Sequence, residues 1–429
     1  MRPDKGKDTR GSSLPVDTNG GPQRKGLRFR PSQGQNRLSE RWVVGGACLV
    51  LLFTLPLIGV ALSGQPIQPY LRVPPTTHPV VHEPFSWPVF GGLALLIMVT
   101  VGPVLHRLFA SSRAVSPSWP EPAAFPEYRR FPWWGWLGLT VTAISWFLAW
   151  TRLDWMGALQ SFTFTPLWIG YILTVNALTF RRVGRCMLLH RPRYVASLFP
   201  LSAAFWWTFE YLNRFVQNWH YLGSGDLSAS AYVLQATVPF STVLPAVIGT
   251  AECLSAYPNL SAGLQHWVKF SWCRGQRWGW LLLICSVFAL VALGRWPSYL
   301  FPLVWVAPLS LITAIQLIRG VETIFASAAE GDWRVLWVVA LSALICGWFW
   351  ELWNVGSLAH WEYSIPFVDR VHLFEMPILG YAGYLPFGLE CLAVADLFLL
   401  RRFSGGVDYY RATVGATDLA QRNPMVAER

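Results

Sequence analysis

The sequence predicts an all-α polytopic membrane protein of about ten transmembrane helices, an N-terminal hairpin followed by two parallel four-helix repeats. Three observations predict it. Of the 429 residues, 53% are hydrophobic and 13% charged, about half the ~25% charged fraction of soluble domains. Uncharged runs return along the chain at close to the ~20 residues a helix needs to cross a bilayer. A set of short motifs also recurs in the same order at an offset of 138 to 144 residues.

Residues 1–41 are rich in Gly, Ser, Pro, Lys and Arg and read as a disordered basic cytoplasmic tail. The tail is too long for the charged start of a signal peptide, so the first apolar run reads as a retained span. Residues 42–110 form the predicted hairpin, with spans at 42–62 and 86–105 joined by the Pro-rich "QPIQPYLRVPPTTHPVVHEP". A second Pro-rich stretch, "SPSWPEPAAFPEYRRFP", leads into repeat A, 131–254, with spans at 131–151, 161–180, 195–217 and 230–251. Repeat B, 277–400, has spans at 278–294, 296–318, 335–354 and 376–400, and 401–429 is a cytoplasmic tail. Runs 195–217, 335–354 and 376–400 have spanning length but carry acidic residues.

The net charge of +11 is unevenly placed. With ten spans and the N-terminus inside, the external segments hold Arg72, Arg152, Arg214, Arg295 and Arg370, while the other 29 of the 34 Lys and Arg fall inside. This positive-inside bias sets both termini in the cytoplasm of a plasma membrane, the inner membrane in a bacterium. The basic tail suits anionic lipid headgroups. It carries no aromatic interleaving or folded module, so no nucleic-acid partner is expected. Seven cysteines without a CxxC pair give neither a disulfide framework nor a zinc site.

Each copy opens with "WGW", at 134–136 and 278–280, and has Pro-Leu in its second run, Pro166-Leu167 and Pro308-Leu309. Each third run ends in Glu-x-x-Asn, Glu210 with Asn213 and Glu351 with Asn354. Trp-x-Tyr follows, Trp219 with Tyr221 and Trp361 with Tyr363. Each fourth run is expected to start at a proline, thirteen residues before Glu-Cys-Leu: Pro239 before Glu252, Pro377 before Glu390. An even number of spans per copy makes the repeat parallel rather than inverted.

The acidic residues are the candidates for chemistry. Glu210 lies ~24 Å along its helix from the inner side, near the outer boundary of the membrane, and Glu351 matches it. Asn213 and Asn354, three residues on, share the carboxyl's helix face and could donate to it or to a ligand. Glu390 is near mid-membrane, where an ionised carboxylate costs ~2.5–3.5 kcal/mol on insertion scales, so it should face protein or water. Glu351, Asn354 and Glu390 are therefore the expected catalytic residues. Trp350, Trp361, Tyr363, Tyr381 and Tyr384 are the expected substrate wall, although Trp-x-Tyr also fits an interfacial aromatic anchor. Arg214 stands four residues after Glu210, where an ion pair is expected. Val355 occupies that place after Glu351, which makes copy B the working one and leaves Glu210, Asn213, Arg214 and Glu252 in support. The glycines of 376–390 permit either close helix contact or a helix break. His78, His82, His220, His360 and His372 show no ligand spacing, so no metal site is expected. No nucleotide, haem or flavin motif occurs, so no such cofactor is expected.

A span-ending glutamate, an outer Trp-x-Tyr and a proline opening the next run, all in tandem, resemble integral-membrane carotenoid-synthesis proteins, the heterodimer-type lycopene cyclases. The likeness covers 205–254 and 346–392. That family places glutamates directly after the proline, where this chain has Phe240-Ser241 and Ile378-Leu379. The resemblance implies proton-initiated chemistry on a polyene. The block "FEMPILGYAGYLPFGLE" also resembles one in bacterial membrane proteins of unassigned function. The residues leave three readings open: a non-redox enzyme using carboxylates on an isoprenoid or lipid-like substrate, a proton- or cation-coupled transporter, or a membrane scaffold. Membrane lipids and a hydrophobic small molecule are the expected partners, and no protein partner is indicated.

Overall fold

The computed structural model describes residues 34–74, 79–114, 130–157, 159–223, 227–271 and 275–399. Most of the N-terminal tail, the C-terminal tail, His78 and most of the second Pro-rich stretch lie outside the described residues. The fold is mostly helical. It begins with α1 (Gly34–Leu62) and α2 (Trp87–Ala114), followed by α3 (Trp133–Trp150), α4 (Phe164–Val183), the short α5 (Met187–His190) and α6 (Pro192–Val216). A strand, β1 (Trp219–Leu222), precedes α7 (Ala229–Phe240) and α8 (Val243–Ser255). Then come α9 (Gln276–Arg295), α10 (Pro297–Leu300), α11 (Ala307–Ile318) and α12 (Arg334–Val355). Strands β2 (His360–Tyr363), β3 (His372–Leu373) and β4 (Met376–Pro377) lead through a 3-10 turn at Ile378–Gly383 into α13 (Tyr384–Leu399).

Among the described residues, six helical stretches are long and apolar enough to cross a membrane: Glu40–Leu62, Trp87–Ser111, Ala229–Ser255, Gln276–Arg295, Arg334–Val355 and Ile378–Leu399. A seventh qualifies if Pro297–Trp305 and Ala307–Ile318, bent by 57° at their junction, are one span. Helices α3, α4 and α6 occupy three further predicted runs with 18, 20 and 25 residues.

Two boundaries differ from expectation. Residues 34–41, assigned to the tail, extend α1. Arg41 donates to the Asp396 carbonyl at 2.8 Å, and Glu40 accepts from Arg319 Nε at 2.7 Å, so two bonds tie this turn to the bundle. Pro239 does not open its span but lies near the end of α7. The missing proline N–H lets the helix break at Ser241-Thr242, where both hydroxyls turn back to the carbonyls of Val238 and Pro239.

The core is centred on α8, whose residues from Val243 to Cys253 are all buried, with α4, α6, α12 and α13 around it. Gly388 lets α13 approach α12, since a Cβ there would stand 2.5 Å from the Val339 carbonyl oxygen. In contrast, the spanning part of α2 is unburied along its length. At one end of the bundle Arg107 donates to the Gly263 carbonyl at 3.0 Å, and the Trp267 amide to Gly331 at 2.9 Å. At the other, β1 pairs antiparallel with β2. There too the Ser86 amide meets the Phe367 carbonyl at 2.8 Å, Ser364 Oγ the Val80 carbonyl at 3.0 Å, and Arg152 the Gly356 carbonyl at 3.0 Å.

Candidate functional site

The site grows from the ends of α6 and α12. Gln217, in the left-handed region at φ 49°, turns the chain sharply after α6. Asn213 holds the returning strand: its Oδ1 accepts the amides of Asn218 at 2.8 Å and Trp219 at 3.4 Å, and its Nδ2 donates to the Trp219 carbonyl at 2.7 Å. Asn354 does the same after α12, accepting from the Trp361 amide at 2.8 Å and donating to its carbonyl at 2.7 Å. Each amide side chain thus pairs the amide and carbonyl of its strand's Trp, groups that the edge would otherwise leave unpaired. The expectation that these asparagines donate to the carboxyls is corrected: both are spent on backbone, and Asn354 is a positioning residue.

Residues two apart on a strand share a face, so each Trp-x-Tyr turns back toward its helix. Glu210 Oε1 accepts from Trp206 Nε1 at 2.9 Å, Trp219 Nε1 at 3.1 Å and Tyr221 Oη at 2.6 Å. Glu351 Oε1 accepts from Tyr363 Oη at 2.8 Å and Tyr384 Oη at 2.6 Å, while Trp361 Nε1 donates to Tyr363 Oη at 2.8 Å. Both carboxyls are fully buried, and in each the Oε2 has no protein partner. Burial, with the neighbouring glutamate, holds the Tyr221 and Tyr363 phenols well above the usual tyrosine range, so both stay protonated donors.

The donor from outside the Trp-x-Tyr differs between the two clusters. In one cluster it is Trp206, a turn before Glu210 on α6; in the other it is Tyr384, from α13. Gly347, a turn before Glu351, makes room: a Cβ there would stand 2.4 Å from the Tyr384 ring.

A cavity of about 150 Å³ lies between the clusters. Its wall includes Trp206, Trp219, Tyr221, Tyr232 and Phe240 from one side and Trp305, Trp350, Trp361, Tyr363 and Tyr384 from the other. Four of the five expected wall residues are therefore in place. Tyr381 is not among the lining residues; it donates to the Leu373 carbonyl at 3.0 Å. Gly380 and Gly383, in the 3-10 turn, do line the cavity.

Three further expectations change. Arg214 forms no ion pair with Glu210; its guanidinium donates to the Tyr70 carbonyl and lies 5.7 Å from the Tyr211 ring centroid. The ranking of copy B over copy A on that pair loses its basis. Glu390 is not in the cavity wall. Its Oε1 accepts the Leu309 amide at 3.2 Å, the third residue of α11, and so caps that helix at the 57° bend that precedes it. Glu252 accepts the Met187 amide at 2.9 Å, the first residue of α5, so the two Glu-Cys-Leu glutamates hold different elements. Trp206, Trp219 and Tyr221, open in the sequence to either an anchor or a wall role, belong to the site, as does Trp305. Helical spacing marks Trp206 as a neighbour of Glu210, and Trp219 and Tyr221 follow once Trp361 and Tyr363 are chosen, but no local signal brings in Trp305.

Comparison of the chain with protein-family models, with curated proteins and with solved structures gives no match.

Proposed function

We propose that the chain is a ten-span integral protein of the plasma membrane, both termini cytoplasmic, whose two like halves enclose a site for non-redox acid–base chemistry on the end of an isoprenoid or lipid-like molecule. The ten-span reading is supported by the contacts at the bundle ends. The loops joined by Arg107 and Gly263, or by Trp267 and Gly331, are those that alternation puts inside; those joined by Ser86, Arg152 and Ser364 are those it puts outside. A cysteine at Ser364 is expected to react with an impermeant thiol reagent added to intact cells, and one at Ser111 is not; the opposite labelling would overturn the topology.

Duplication is supported by a reciprocal exchange. On the repeat alignment Trp206 corresponds to Gly347 and Tyr384 to Ala246, so each half supplies one extra donor, an indole in one and a phenol in the other, from the helix on which the other half has a small residue. The likeness to lycopene cyclases points to the same substrate class, a polyene end.

The observation that carries the function is the cavity wall itself: three of its phenols, Tyr221, Tyr363 and Tyr384, and two of its indoles, Trp206 and Trp219, are bonded directly to two buried carboxyls. Glu351 would exchange a proton with the bound molecule through Tyr363 or Tyr384, while the ring faces would favour positive charge developing on it. A cavity of about 150 Å³ is the size that holds benzene. It suits one end of a long molecule.

Mass spectrometry of membranes with and without the protein is expected to show one lipid or pigment converted to an isomer of equal mass. Glu351→Gln keeps an acceptor for both phenols but cannot exchange a proton as a carboxyl does, so conversion should fall at least a hundredfold while the protein still folds. An unchanged lipid profile with wild-type protein would sink the proposal. One observation favours a second reading, ion-coupled transport: the 57° bend beside buried Glu390 gives a half-helix at membrane depth. Proton-dependent uptake into proteoliposomes with no lipid conversion would select it.

A further inference from the structure

The cavity between the two carboxyls has a charge preference that follows from what surrounds it. Eleven of its 22 lining residues are Trp, Tyr or Phe, five of them indoles, and none is Lys or Arg. Besides the phenols the one ionisable lining side chain is His360, whose Nε2 lies 3.7 Å from Glu362. Behind the wall stand Glu210 and Glu351, both fully buried. Neither takes part in an ion pair among the described residues. The nearest candidate, Arg214, is engaged with the Tyr70 carbonyl. Every contact to the two Oε1 atoms is a neutral N–H or O–H donor, three at Glu210 and two at Glu351. Such donors strengthen when the oxygen they meet is ionised, and none of them would cancel its charge.

No Lys or Arg side chain lines the space between the two carboxyls, so a cation placed there meets no like charge and itself favours the ionised form of both. Aromatic faces are negative at their centres, and eleven aromatic side chains line that space. We infer that the cavity takes a small organic cation, a quaternary or tertiary ammonium head about the size of a trimethylammonium group, with the ring faces around it and the carboxyls one hydrogen bond behind. Aromatic walls bind such heads by their π faces, and a volume of about 150 Å³ fits one. The cation could be a lipid headgroup or a free amine. This inference rests on the same site being a ligand site, but not on catalysis there.

The test compares choline with 3,3-dimethylbutan-1-ol, the same shape with carbon in place of the ammonium nitrogen. Purified protein in phosphatidylglycerol nanodiscs is titrated with each and read by tryptophan fluorescence and calorimetry. Choline is expected to bind at least about tenfold tighter than the alcohol. Glu351→Gln should weaken choline at least about threefold and leave the alcohol unchanged. Equal affinity for the pair, or binding of neither, would overturn the inference. Equal affinity would leave the apolar-end reading standing, whereas a choline preference with no lipid conversion would sink the catalytic reading and keep this one. Repeating the titration in phosphatidylcholine nanodiscs names the source: loss of the choline signal marks the lipid headgroup, and its persistence a free amine.

Discussion

Asn354→Ala is expected to lower the unfolding free energy by about 2–5 kcal/mol, measured in detergent or by denaturant in bilayers. The side chain is fully buried and holds both the amide and the carbonyl of Trp361. Alanine removes both bonds and leaves two part-buried backbone groups without their partner, each of which costs ~1–3 kcal/mol when unsatisfied. Asn354→Asp is expected to fall between, because it keeps the acceptor for the Trp361 amide and loses the donor for its carbonyl. The substitution also reaches the site. Trp361 and Tyr363 depend on this strand's position, so the Tyr363–Glu351 bond should loosen as well. A variant as stable as wild type would show that the ribbon pairing alone holds β2.

Gly294→Val is expected to be at least as damaging, with a loss of about 3 kcal/mol or more. A Cβ at Gly294 would stand 2.0 Å from the Pro56 carbonyl oxygen, and one at Gly59 would stand 2.0 Å from that of Val291. Helices α1 and α9 meet there backbone to backbone, as small residues allow in membranes. The obstacle is main chain rather than a side chain that could rotate, so the helices must separate and pull the N-terminal hairpin from the second half. Gly46→Leu, on α1 where a Cβ would meet nothing within 4 Å, is the control and should leave stability unchanged. If the two variants unfold alike, the close approach of α1 and α9 does not support the bundle.

The helical character and its membrane scale were legible because they rest on local statistics: runs of apolar residues near bilayer length and the scarcity of charge. The pairing of Glu with a following Trp-x-Tyr was legible as a recurrence, which marked Glu351, Trp361 and Tyr363 without showing what they touch. Asn354 was misjudged for a physical reason. Spacing puts it on the carboxyl's face of the helix, but a buried amide takes whichever backbone groups lack partners, and the returning strand offered two. Arg214 was misjudged in the same way, since a carbonyl on the hairpin loop competed with its neighbour on the helix.

By itself the sequence determined that this chain is helical, that it carries helices fit for a membrane, and that two stretches bear one set of polar residues. Only the tertiary structure decided that Trp206, Tyr384 and the ribbon converge on two carboxyls around one cavity, and that Glu252 and Glu390 serve as helix caps. Periodicity fixes which face of an element a residue occupies. The partner it meets depends on the helix packed opposite, and that is set by where glycines such as Gly347 and Gly388 let neighbours come close.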